Sequence, residues 1–247
     1  MTRSKKFAAL VGLLIIAVVA VSSMHADTLD LTTVGAWGNI NGANFQQYSD
    51  GAGGSGNIDA FVRIQLTGVE QGYNTDYRPV QFDENTSSSF THSLLLSEVP
   101  LVSDDGTNYR EFLLDINQSG VNLLSLDDLE IYLEAEPNIG VYPDNFSTLV
   151  YDLDAGEDNW VKLDYSINAG SGEGDMLAFI PDSFFMDEFG VYLNDYVYLY
   201  SRFGQNFGAN DGFEEWAHGV GGPVIPEPAT ILLLGLGGLA LLRKRRV

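Results

Sequence analysis

The chain has 247 residues, 34 acidic and 12 basic side chains, a net charge of -22 and no cysteine. Without cysteine there are no disulfides and no thiol chemistry, so a fold held outside the cytoplasm must rely on packing or bound ions. Seven basic residues sit at the two ends, leaving Arg63, Arg78, Arg110, Lys162 and Arg202 between them; setting aside Glu227 leaves 33 acids there, and 5 minus 33 is -28. Such a surface cannot neutralise phosphates, which excludes nucleic acid as a partner, and it suits a saline or calcium-bearing medium.

Along the chain, Met1 to Lys6 is basic, Phe7 to Val21 is uncharged and apolar, and Ser22 to Ala26 leads to the first acid, Asp27. This pattern predicts a signal peptide over 1–26, removed by signal peptidase. Its apolar run is shorter than the ~20 residues that span a bilayer comfortably. Residues 27–220 form the body, long enough to bury a substantial core. Gly51 to Gly56, GAGGSG, reads as a loop within it.

Period-2 alternation predicts strands at Ala60–Leu66, Tyr109–Ile116, Thr148–Leu153, Val161–Asn168, Met176–Ile180 and Tyr196–Phe203. The links between them are rich in Gly, Asn, Asp and Ser. No sustained helical periodicity occurs outside the two ends, so the expected fold is all-β: a single antiparallel β-sandwich or jelly-roll-like domain.

Chemistry-bearing residues are few. His92 and His218 are the histidines of the body, and neither a Gly-x-Ser-x-Gly elbow nor a His-Glu-x-x-His pair occurs. Hydrolytic triads and zinc sites therefore lack material. A glycosidase-type carboxylate pair stays open as a distant third reading, with no two acids distinguished from the rest.

Asp115, Asn117 and Ser119, followed by Gly120, space their oxygens like the start of a calcium loop, although Leu126 stands where a bidentate carboxylate belongs. The competing reading is a strand ending in a turn, with a second element starting after Ser125 and Asp128 completing a cap if that element is helical. Asp152, Asp154 and Asp158 form another acidic loop able to hold Ca2+. Tyr196, Tyr198 and Tyr200 fall on one strand face, either as a sugar-stacking row or as part of a buried central strand.

Beyond the body, residues 221–247 comprise a linker, Pro226-Glu227-Pro228, an uncharged stretch from Ala229 to Leu242, and Arg243, Lys244, Arg245 and Arg246. At 1.5 Å per residue the apolar stretch covers about 21 Å of a hydrocarbon core roughly 30 Å thick. The expectation is a short helix, with the basic end held in the cytoplasm. The two prolines lack N–H donors and keep the triplet extended.

In this order, triplet, glycine-bearing apolar helix and basic end resemble the PEP-CTERM sorting signal, which the membrane enzyme exosortase reads in Gram-negative bacteria. The blocks YREFLLDINQSGVNLLSLDDLEIYLE, GSGEGDMLAFIPDSFF, YVYLYSRFG and NDGFEEW resemble recurrent segments of exported PEP-CTERM proteins of unassigned function. The resemblance implies export, transient anchoring in the inner membrane, cleavage near the triplet, and transfer to the cell surface or release, commonly in organisms that make extracellular polysaccharide. The expectation is thus a non-enzymatic surface or matrix protein. The alternative is a module that binds the polysaccharide of the same cell.

Overall fold

The computed structural model describes residues 28–48, 58–210 and 212–219. The signal peptide expected over 1–26, the stretch Gly51 to Gly56 and the sorting tail with Pro226, Glu227, Pro228 and Arg243 to Arg246 lie outside the described residues. Among the described residues no helix is long and apolar enough to cross a membrane.

Two sheets pack face to face. Sheet I runs β1 (Thr28–Asp30), β11 (Trp160–Asp164), β9 (Leu123–Glu134), β13 (Tyr196–Phe203), β5 (Glu70–Tyr73), with β10 (Leu149–Asp152) on β9 and β6 (Leu94–Leu95) on β13. Sheet II runs β2 (Trp37–Ile40), β3 (Ala43–Gln47), β12 (Met176–Pro181), β8 (Thr107–Ile116), β14 (Glu214–His218), β4 (Ala60–Ile64), with β7 (Leu101–Asp104) on β8. β1 and β11 pair in parallel, and the other strand pairs are antiparallel.

Alternation along the central strands fills the space between the sheets. Phe112, Leu114 and Ile116 of β8 and Met176, Ala178 and Ile180 of β12 point inward, where they meet Leu129, Ile131 and Leu133 of β9 and Val197 and Leu199 of β13. The intervening residues point outward and are themselves covered. Leu113, Leu177 and Phe179 make a small apolar cluster outside sheet II, and Tyr73, Tyr132, Tyr198 and Tyr200 a larger one outside sheet I. Ile139, Tyr142 and Phe146 cover the cluster outside sheet I and Tyr48, Ile58 and Tyr109 pack against the one outside sheet II, so the two-layer sandwich has three apolar layers.

Two expectations are corrected by local chemistry. The element after Ser125 is no capped helix, because Ser125 lies inside β9, the longest strand. Leu124 and Leu126 face the core, and so do Leu129, Ile131 and Leu133. The pairing with β13 jumps from Leu126↔Phe203 to Asp128↔Arg202, so Asp127 is the extra residue of a bulge that shifts the apolar alternation by one. Asp127 is anchored there by N–H groups of Gln205 and Asn206 and by the Ser125 hydroxyl.

β11 stops at Asp164 rather than Asn168, since Asp164 accepts the backbone N–H and hydroxyl of Ser166 and closes an Asx turn. At Gly204, with φ +88°, an added Cβ would lie 1.9 Å from the Gly68 carbonyl oxygen. Only glycine lets the chain leave β13 this close to the Gly68–Ala209 bridge.

Candidate functional site

The bulge in β9 places Asp128 and Glu130 on the outer face of sheet I. β10 pairs beside them with Asp152 opposite Glu130. One carboxylate oxygen from each of Asp128, Glu130 and Asp152 lies within 4.8 Å of the others, the one acid or histidine group of this size among the described residues. Arg202 approaches Asp128 at 3.7 Å and is the cation beside the group. Burial, then the charges of Glu130 and Asp154, push Asp128 up to about 7. Asp152 is raised as well, again chiefly by burial. Glu130 uses one oxygen to accept the hydroxyls of Tyr132 and of Tyr142, the latter at 2.6 Å, which fixes the carboxylate while leaving its other oxygen for a ligand. Oxygen donors without nitrogen or sulfur are the set that Ca2+ takes.

Of the six residues considered for metal from the sequence, only Asp152 joins this group. Asp154 stays in the turn, accepting the Asn159 N–H while its own N–H goes to Asp152, and Asp158 is exposed. Asp115, Asn117 and Ser119 do not converge on one point: the Asn117 amide donates to Asp115 at 3.5 Å, while Ser119 lies apart. The Asp115 side chain turns to the Gly172 N–H at 2.8 Å, the Asn117 N–H goes to the Phe213 carbonyl, and Ser119 is held by Asn210. The strand-and-turn reading describes this segment, with Gly120 at φ +90°. Asp115 is fully buried and pushed up to about 6 by that burial; beside it Asp175 accepts the Ile116 N–H and is raised further. Asp128 and Glu130 escaped the sequence reading because the bulge disguised their strand.

The tyrosine row has the expected facing but not the exposure a sugar platform requires. Val197 and Leu199 enter the core between the sheets, while Tyr198 and Tyr200 are 1% and 4% exposed beneath the segment that follows β9. Tyr142 stacks on Tyr200 at 4.0 Å, and Phe146 meets Tyr198 edge-on at 5.0 Å. Each hydroxyl is used: Tyr198 donates to the Glu136 carbonyl and Tyr200 to Gln71. Tyr196, half-buried, packs against the same cluster. This is a second core, as apolar rings with satisfied hydroxyls make it.

His92 and His218, 126 positions apart, line one pocket of about 120 Å³ with Asp59, Phe61, Leu94 and Glu98. That is below the ~300–1,000 Å³ of ordinary ligand sites. A larger pocket, about 360 Å³, is lined by Leu95, Leu96, Ser97, Arg110, Tyr192, Asn194 and Asp195. Arg110 forms its floor, pinned by Asp182 at 2.6 Å and by the Leu96 and Val99 carbonyls, and donates to the Tyr192 hydroxyl. Neither pocket was legible from spacing, since both join segments far apart in the chain.

The family model for the PEP-CTERM protein-sorting motif matches residues 224–246. The chain carries a PEP-CTERM sorting motif. It is therefore an exported substrate of exosortase, directed to the cell surface. No curated protein and no solved structure matches the chain, so the sorting motif speaks for the destination of the body and not for its chemistry.

Proposed function

We propose that the body works at the cell surface or in the extracellular matrix as a non-catalytic structural protein, with Ca2+ held by Asp128, Glu130 and Asp152. The observation that carries this reading is the sorting motif at 224–246. The acid group outside sheet I supports the calcium part, and the -28 balance of the body favours bound cations because uncompensated negative charge opposes compaction. In an exosortase-bearing host the body should be recovered from the surface or matrix fraction and be open to protease added to intact cells. Recovery from the cytoplasm would sink the proposal, and release of reducing ends from the host's polysaccharide would overturn its non-catalytic part.

A second reading, binding of extracellular polysaccharide, draws on the 360 Å³ pocket. The exposed Tyr192 ring offers an apolar face, and Asn194, Asp195 and Ser97 offer hydroxyl partners. Under this reading the protein is retarded on a polysaccharide gel and Tyr192→Ala is not. Equal mobility of the two proteins would remove it.

A further inference from the structure

Glu70 opens β5 in sheet I and Glu214 opens β14 in sheet II. Both are 0% exposed. One oxygen of each is satisfied: Glu70 Oε2 accepts the Leu66 N–H and Glu214 Oε1 accepts Gln118 Nε2, both at 2.6 Å. The Gln118 amide cannot turn round, because its own oxygen accepts Asn210 Nδ2 at 2.6 Å. The remaining oxygens, Glu70 Oε1 and Glu214 Oε2, are buried without a hydrogen-bond partner, and the register brings the two carboxyl groups together across the sheets, because Leu66, whose N–H Glu70 accepts, lies two residues beyond Ile64, the partner of Glu214 in β4.

Two ionised carboxylates are acceptors only, so the two orphan oxygens can satisfy each other only if one of the groups carries a hydrogen. Leaving both charged in an enclosed site would add mutual repulsion to desolvation. A calcium ion in the same place would want six to eight oxygens; two are free, and Gln118 presents nitrogen.

We propose that Glu70 and Glu214 share a single proton that joins sheet I to sheet II, and that losing it as pH rises above the ordinary carboxylate range loosens the joint between the sheets. The clasp is thus a sensor of the pH met outside the cell. The charges acting on the pair oppose its second ionisation: Asp83 faces Glu70 and Asp115 faces Glu214, while Leu66 N–H and Gln118 supply dipoles that favour one charge. Burial holds both groups above the ordinary carboxylate range, and for Glu214 the bond and charge of Glu70 add to it. Because the folded-state value is raised above the unfolded one, the stability contributed is complete below the ordinary carboxylate range. It is lost as pH rises through the folded-state value.

The test is unfolding of the purified exported protein between pH 5 and pH 10, with Glu70→Gln, Glu214→Gln and the double variant. In either single variant an amide nitrogen takes the place of the protonated oxygen and donates permanently. Each single variant should therefore lose less of its midpoint than the wild type as pH rises, and exceed the wild type at the upper end of the range. The double variant puts two NH2 groups face to face and should be less stable than either single variant at every pH.

Should the single variants not fold, glutamate carboxyl-labelled wild-type protein gives the answer by NMR. Two resonances titrating together well above the ordinary range are expected. An equal loss of midpoint in the wild type and the single variants as pH rises, two glutamate resonances with ordinary separate titrations, or a wild-type loss repaired by Ca2+ and restored by EDTA would each overturn the shared proton.

Discussion

Trp216 of β14 donates its indole N–H to Ser201 Oγ of β13 at 3.1 Å, across the space between the two sheets. Both residues are fully buried, so the bond fixes how the sheets sit on each other rather than how either is built. Ser201→Ala leaves a buried donor without a partner and should cost about 1–3 kcal/mol. Trp216→Phe removes that donor together with its hydrogen bond. Denaturant unfolding of both single variants and the double should show the double costing less than the sum, by roughly 0.5–3 kcal/mol. Strict additivity would mean that the bond carries no coupling.

The tyrosine layer outside sheet I makes an opposing demand on Tyr198. Its ring packs against Phe146 and its hydroxyl bridges the Glu136 carbonyl and the Ile139 N–H. Tyr198→Ala should lower stability by about 3–5 kcal/mol, as large aromatic truncations do. Retention of the folded fraction on a polysaccharide gel should be unchanged. A variant of undiminished stability that no longer binds polymer would restore the exposed platform and refute the buried assignment.

What the sequence displayed follows from which signals are local. Strands that alternate in side-chain type, such as Tyr196–Phe203 with tyrosines at every second position and Val197 and Leu199 between them, show their period directly, and β13 has those same bounds. β9 does not, because the single residue Asp127 moves the inward set from Leu124 and Leu126 to Leu129, Ile131 and Leu133. The facing of the tyrosines was legible, since period 2 determines it. Their burial was not, since it depends on Tyr142 and Phe146, more than fifty residues upstream of Tyr198 and Tyr200. The acid group shows the same division: Asp152 stood out in an acidic turn, while Asp128 and Glu130 became its neighbours only through strand pairing.

That group sets a pH-dependent calcium prediction. A protonated carboxyl is a poor ligand, so binding must compete with the proton on Asp128, which is held up to about 7. In the absence of metal the raised value means that the stability contributed by Asp128 is present below the ordinary carboxylate range and is lost as pH rises through about 7. Calcium should therefore stabilise more at pH 8 than at pH 6. At a hundredfold excess over the dissociation constant the gain is about 2.7 kcal/mol. Thermal unfolding in millimolar CaCl2 and in NaCl of matched ionic strength measures it, and Asp128→Asn should erase the difference. Equal midpoints in the two salts would reduce the effect to screening.

The sorting motif gives the last prediction. In a host with exosortase the apolar stretch from Ala229 to Leu242 should halt transfer, the basic Arg243 to Arg246 should remain inside, and cleavage should follow near Pro226-Glu227-Pro228. Intact-mass measurement of the exported protein should find neither the leader up to about Ala26 nor the apolar stretch with its basic end. Replacing Pro226, Glu227 and Pro228 by alanine keeps both the apolar run and its flanking charge, so insertion should persist while cleavage fails. It also removes the two residues that keep the triplet from joining a helix, so the uncut form should collect in the membrane, heavier than the mature protein by the tail. If the wild-type protein instead keeps its C-terminus and the alanine variant has the same mass and location, the segment acts as a plain anchor and processing at the triplet is refuted.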